Sequence, residues 1–242
     1  MTTPNYMAQL GATLVDRGFP ILPIQPRSKK PGMYRQGAWH DYPKWSRHCE
    51  RATTENEVDI WGDWPESGIG IAAGRVIGID IDVLDADIAA KIEGLAKRLL
   101  GDTPAVRIGR APKRLLVYRA AQPFAGFKYP PIEVLGLGQQ FIAYGIHPDT
   151  GQAYDWPVES LVDLNVSDLP AITAEPPWAM TTAPRPLARP PRRTDGGRGP
   201  AHSAPGSRAC SRSAAHPHSH TYSDTKEVHN DQYVLHAQCQ HH

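Results

Sequence analysis

Residues 76–83, VIGIDIDV, constrain this chain more than any other stretch. Val76, Ile77, Ile79, Ile81 and Val83 are apolar and mostly β-branched, which predicts a strand. Asp80 and Asp82 interrupt the run. A carboxylate in an apolar strand is costly unless something pairs with it. Side chains alternate across a strand, so the two acids share one face while Ile79 and Ile81 point to the other. They then lie about 6.6 Å apart along the strand. The isoleucine face needs a core. The acid face needs either water, at an exposed strand end, or a cation.

The flanking sequence supplies that core. Residues 5–17 carry Tyr6, Leu10, Leu14 and Val15 at helical spacing, and Gly18 ends the predicted helix. FPILPIQP reads as a short extended segment and RSKKPG as a basic loop. Residues 37–66 are rich in Trp, Pro and charge, and are expected to wrap the surface with one short helix near 54–61. GIGIAAG is a strand ending in a glycine turn. LDADIAAKIEGLAKRLL is a helix with Leu84, Ile88, Ile92, Leu95 and Leu99 on its apolar face, and Asp85 and Asp87 near its positive N-terminal end. AVRIG, RLLVYR, IEVLG and QFIAYG are further strands, the last two expected to pair as a hairpin around residues 136–138. HPDTGQAYDW turns back to a short strand, and VESLVDL is a candidate closing helix. The expected fold class is α/β of the α+β kind, one domain over residues 1–178.

Residues 179–242 differ in character. They are dense in Pro, Ser, Arg and His, with few large apolar residues, and are expected to remain disordered. Eight of the eleven histidines lie there at irregular spacing. A metal-binding tail, a basic tail touching nucleic acid, and a tail with no dedicated site all fit. The chain's formal net charge is +1. From Thr181 onward eight Lys/Arg against four Asp/Glu give +4, which leaves 18 against 21, or −3, before it. A nucleic-acid site in the front part must therefore be a local patch. Cys49, Cys210 and Cys239 show no zinc or disulfide spacing. The N-terminus lacks a basic start followed by an apolar core, and no apolar run approaches a membrane span, so a cytoplasmic setting without membrane contact is expected.

Asp80 and Asp82 can share a metal or bracket a pair of ions about 3.5–4 Å apart. Oxygen ligands favour Mg²⁺ or Mn²⁺. Glu133 in PPIEVLG is another acid in an apolar strand; it is either a third ligand or a surface position on a hairpin. VRIGRAPKRLLVYR gathers Arg107, Arg110, Lys113 and Arg114 around one loop, and RSKKPG adds Lys29 and Lys30. These suit a polyphosphate, or are solvated basic turns. His147 in GIHPDTG binds a phosphate or caps the turn made by Pro148, Asp149 and Gly151. Tyr34, Trp39 and Trp45 are candidates for base stacking, or for core.

The order of these segments over roughly residues 8–160 resembles the bifunctional DNA primase/polymerase N-terminal domain, a branch of the archaeo-eukaryotic primase superfamily found in phages, prophages and plasmids. The resemblance implies an RRM-like half packed on a smaller α/β half, with the active site between them. It implies metal-dependent transfer of NTPs or dNTPs on a single-stranded DNA template. Asp80 and Asp82 match the family's first acidic motif and Glu133 its third acidic ligand. Many relatives carry a middle-motif histidine where this chain reads APKRLLV, so Lys113 or Arg114 would supply positive charge there. Relatives often continue into a helicase. This sequence has no Walker loop, which implies a separate helicase partner.

Three readings follow: a primase/polymerase, a polymerase-like binding module without chemistry, and a metal-dependent nuclease. Both metal-enzyme readings require Glu133 to face Asp80 and Asp82 across neighbouring strands.

Overall fold

The computed structural model describes residues 4–174. The expectations for the tail at 179–242, and the boundary at 178, lie outside the described residues. In chain order the elements are α1 (Tyr6–Asp16), β1 (Ile21–Ile24), β2 (Gly32–Arg35), β3 (Ala38–Asp41), α2 (Glu55–Gly62), β4 (Gly68–Ala72), β5 (Val76–Ile81) and α3 (Ala86–Leu100). Then come β6 (Val106–Arg107), β7 (Arg114–Ala120), β8 (Phe127–Tyr129), β9 (Ile132–Leu135), β10 (Gln140–Tyr144) and β11 (Ala171–Ile172). Short 3₁₀ turns at Trp45–Cys49, Leu161–Asp163 and Val166–Asp168 complete the order; the second stands where VESLVDL was expected to form a helix.

Two main sheets carry the fold, which is of the α+β class. One is three-stranded and antiparallel, in the order β1-β4-β10. The other has six strands, in the order β11-β7-β5-β9-β8 with β6 on β7. Pro23 sits within β1, which is tolerated because β1 is an edge strand.

β5 shows why its sequence alternates. Ile77, Ile79 and Ile81 enter a core with Ala89 and Ala96 of α3. Val76 enters the other core, which holds Phe141 and Ala143 of β10, Leu115 and Val117 of β7, and Met7 and Leu14 of α1. Gly78 shares that second face. A Cβ there would sit 3.0 Å from Phe141 Cδ1 and 3.2 Å from Leu115 Cδ1, so glycine lets the two sheets approach. Asp80, two residues on, opens from the same face at the end of this packed seam.

Three further expectations are corrected. β9 and β10 do not form a hairpin. β9 pairs with β5 and β8, while β10 pairs with β4 in the other sheet. The glycine-rich turn is a crossover between sheets, and Leu137 N–H is taken by Phe124 C=O at 2.7 Å. The second correction concerns α3. Leu84 falls before the helix and is 61% exposed, and the expected apolar face is largely outside: Ile88, Leu95 and Leu99 are 48%, 48% and 40% exposed. The helix seats instead on Ala89 and Ala96, with Ile92 and Leu100 beside them, because small residues allow close approach to the β5 isoleucines. The third is the 37–66 wrap, which starts inside a β2–β3 hairpin with a two-residue turn at 36–37. The short helix near 54–61 is present as α2. Its N-terminus carries a capping box between Thr54 and Glu57.

Candidate active site

The register of the six-stranded sheet assembles the acids. Asp80 on β5 is directly opposite Glu133 on the antiparallel β9. Directly opposed residues share a face with Cβ atoms about 4.5–5.5 Å apart. Asp82 lies one residue past β5, where its N–H still donates to Pro131 C=O at 2.9 Å. Burial pushes the Asp80 carboxyl above the ordinary aspartate value. Arg107 opposes that shift, the neighbouring Asp82 and Glu133 add to it, and Lys29 opposes it. Asp82 and Glu133 thus both act electrostatically on Asp80.

Asp80 and Asp82 line a cavity of about 250 Å³. Its walls come from both sheets: Leu115 and Leu135 from one, Gln140, Phe141 and Ile142 from the other. Lys29, Arg107, Arg110, Lys113, Arg114 and His147 also line it. Glu133 stands beside Asp80 outside the lining. Lys30 is exposed and does not line the cavity.

Each basic residue is held differently. The Gln140 amide donates to Lys29 C=O at 2.9 Å, which ties the basic loop to β10. Arg107 is half-buried in the wall. It donates to Ile142 C=O and lies 4.6 Å from the centre of the Tyr154 ring, and burial lowers its pKa. The Arg114 guanidinium is turned to α3, where it pairs with Glu93. Lys113 pairs with Asp82, and Arg110 is exposed at the rim.

His147 caps the turn and also faces the cavity. Its Nδ1 accepts from Asp149 N–H at 3.2 Å, which leaves the proton of the neutral ring on Nε2. Burial and the nearby Lys29 hold its pKa below the usual histidine value. Gly109 lies against this ring and Tyr154: a Cβ there would be 2.9 Å from His147 Cδ2 and 2.5 Å from Tyr154 Cε1.

Tyr34, Trp39 and Trp45 are outside the cavity lining. Trp39 packs edge-on against Tyr34 and Trp64, each at 5.8 Å, and Trp45 packs on the Leu22–Ile24 cluster. Tyr154, Gln140 and Lys128 are the site neighbours that sequence reasoning missed. Lys128 Nζ lies 3.2 Å from Glu133 Oε2.

The donor chemistry suits a hard divalent cation: the oxygens of carboxylates, two of which repel the charge on Asp80. Among the described residues, no three His, Cys, Asp or Glu side chains converge as a ready metal cage. Among them, too, no helix is long and apolar enough to cross a membrane, and Cys49 is free and buried.

Residues 12–176 match a family model described as bifunctional DNA primase/polymerase, N-terminal. The match spans more than half of the 242 residues. No curated protein shows significant similarity to the chain.

Proposed function

Because the chain belongs to the bifunctional DNA primase/polymerase N-terminal family, we propose that it joins nucleotides on a single-stranded DNA template, with Asp80, Asp82 and Glu133 at the reacting centre. The observation that carries this reading is the register of Asp80 opposite Glu133, with Asp82 at the end of the same strand beside a cavity walled by cations. The reaction is in-line attack of a 3′-hydroxyl on the α-phosphate of an NTP or dNTP, with pyrophosphate leaving.

Lys29 and Arg110 line the cavity, as does Lys113 from its pair with Asp82, and the three bind the triphosphate in this reading. Arg107 and Arg114 shape the wall while engaged by Ile142 C=O and Glu93. The His147 Nε2–H donates to a phosphate or sugar oxygen. It supplies a neutral donor in a site whose APKRLLV segment has no histidine. Asp80, Asp82 and Glu133 would hold Mg²⁺ or Mn²⁺, which would neutralise the triphosphate and acidify the attacking hydroxyl. The setting proposed is phage, prophage or plasmid replication, with unwinding assigned to a separate helicase.

The test is primer synthesis and extension by the full chain on single-stranded DNA with Mn²⁺ and labelled nucleotides. The expected result is labelled product from the native chain and none from the Asp80→Ala/Asp82→Ala variant. Retained DNA binding with no product from the native chain would replace the enzyme by a polymerase-like binding module.

A further inference from the structure

Every acid of the proposed centre already faces a protein cation. Lys113 Nζ is paired with Asp82, and Lys128 Nζ lies 3.2 Å from Glu133 Oε2. Arg107 is the cation that most lowers the Asp80 pKa. The three are not equivalent. Arg107 is locked in the wall by Ile142 C=O and the Tyr154 ring. Lys113 and Lys128 are point charges on flexible stems, with side chains 31% and 66% exposed.

The fold places both lysines deliberately close. Lys128 sits on the edge strand β8 directly opposite Glu133, which is itself opposite Asp80. The three side chains therefore share one face of the sheet. The other Glu133 oxygen accepts from the Gln139 amide at 3.4 Å. Lys113 lies just before β7, the strand that flanks β5 on its other side, and lines the cavity; Lys128 does not line it. The acids are thus held toward separate lysines from opposite sides.

We propose that Lys113 and Lys128 are exchangeable counter-ions of the carboxylate centre: a divalent cation enters by displacing their two ammonium groups, and the released Lys113 turns to the nucleotide triphosphate. This rests on the reading of Asp80, Asp82 and Glu133 as metal ligands. The exchange moves no proton and breaks no covalent bond. It couples metal loading to nucleotide loading, because triphosphate binds the ammonium that the metal expels. By linkage, nucleotide then raises metal affinity as much as metal raises nucleotide affinity.

The test is Mn²⁺ titration of the full chain, followed by the loss of the free-ion electron paramagnetic resonance signal, with and without dNTP. Lys113→Met and Lys128→Met are each expected to tighten Mn²⁺ binding about threefold to tenfold, as removal of a partly solvated competing cation should. Lys91→Met, an exposed lysine on α3, should leave it unchanged. Added dNTP should tighten Mn²⁺ binding in the native chain and in Lys128→Met, and clearly less in Lys113→Met. Unchanged or weaker Mn²⁺ binding in both variants, with native binding intact, overturns the exchange alone. Absence of Mn²⁺ binding in the folded native chain overturns the metal-ligand reading as well.

Discussion

Arg107→Met probes the wall of the site most sharply. The substitution keeps the length and removes the charge. It leaves Ile142 C=O, a nearly buried residue at 4% exposure, without its side-chain donor. A lost partner for a buried acceptor costs about 1–3 kcal/mol. The stacked contact on Tyr154 at 4.6 Å adds about 0.5–2 kcal/mol. The expected loss is therefore about 1.5–5 kcal/mol, or a fall in Tm of roughly 3–20 °C for a domain of this size. The assay is urea and thermal unfolding with chelator present, so that metal does not enter the comparison. A second arm places Asp80→Asn in the same background. Arg107 opposes the charge penalty on Asp80, so the double variant should recover stability beyond additivity by more than about 0.5 kcal/mol. A loss under about 1 kcal/mol, or strict additivity, refutes the assignment of Arg107 as the fixed counter-charge of Asp80.

Gly109→Ala drives a methyl to 2.5 Å from Tyr154 Cε1 and 2.9 Å from His147 Cδ2. Overpacking of this kind costs about 1–3 kcal/mol, and the displaced rings should raise the nucleotide KM more than they lower kcat; unfolding and steady-state kinetics read both. Glu57 is pulled down to about 2, first by its hydrogen bond to Arg51 and against its burial. A depressed carboxyl contributes stability above its ordinary value and loses it as pH falls from there toward about 2. Glu57→Gln should therefore cost about 1 kcal/mol at neutral pH, after discounting for solvent screening, and the gap to the native chain should close toward pH 2 in an acid-unfolding series. Leu95→Lys on the outer face of α3 should change stability by no more than about 0.5 kcal/mol, whereas Ala89→Lys, at 0% exposure, should prevent native folding; melting curves separate the two.

The parts of the site that were legible in sequence are those where local chemistry and long-range pairing agree. The alternation in VIGIDID follows from one face on α3 and another that packs on the second core and opens to the cavity at Asp80, so it marks β5 and its acids directly. Glu133 stood out for the same reason, as an acid in an apolar strand, and the register sets it opposite Asp80. Where two pairings were locally equivalent, sequence misled. IEVLGLGQQFIAYG has the pattern of a hairpin, yet each strand finds a better partner in a different sheet. The large apolar residues from Leu84 to Leu99 outweigh two alanines in any periodicity count, yet the alanines are the residues small enough to bury fully against the isoleucines, with Ile92 beside them. Phe127–Tyr129 was invisible as a strand because all three residues are exposed on an edge. Lys128 was missed with it, although its register gives it a direct hold on Glu133. Tyr154 and Gln140 carried no signal because their role is to hold Arg107 and Lys29 from distant points in the chain.

If Asp80, Asp82 and Glu133 act as one centre across two strands, Glu133 is the member whose place depends most on the fold. The direct measurement is nucleotide incorporation on a single-stranded template by the folded Glu133→Gln chain, beside Asp80→Asn and the native protein. Both variants should lose incorporation by about a hundredfold or more, in line with removal of a group that stabilises transition-state charge. Native-like incorporation by Glu133→Gln, with Asp80→Asn inactive, would contradict that single centre.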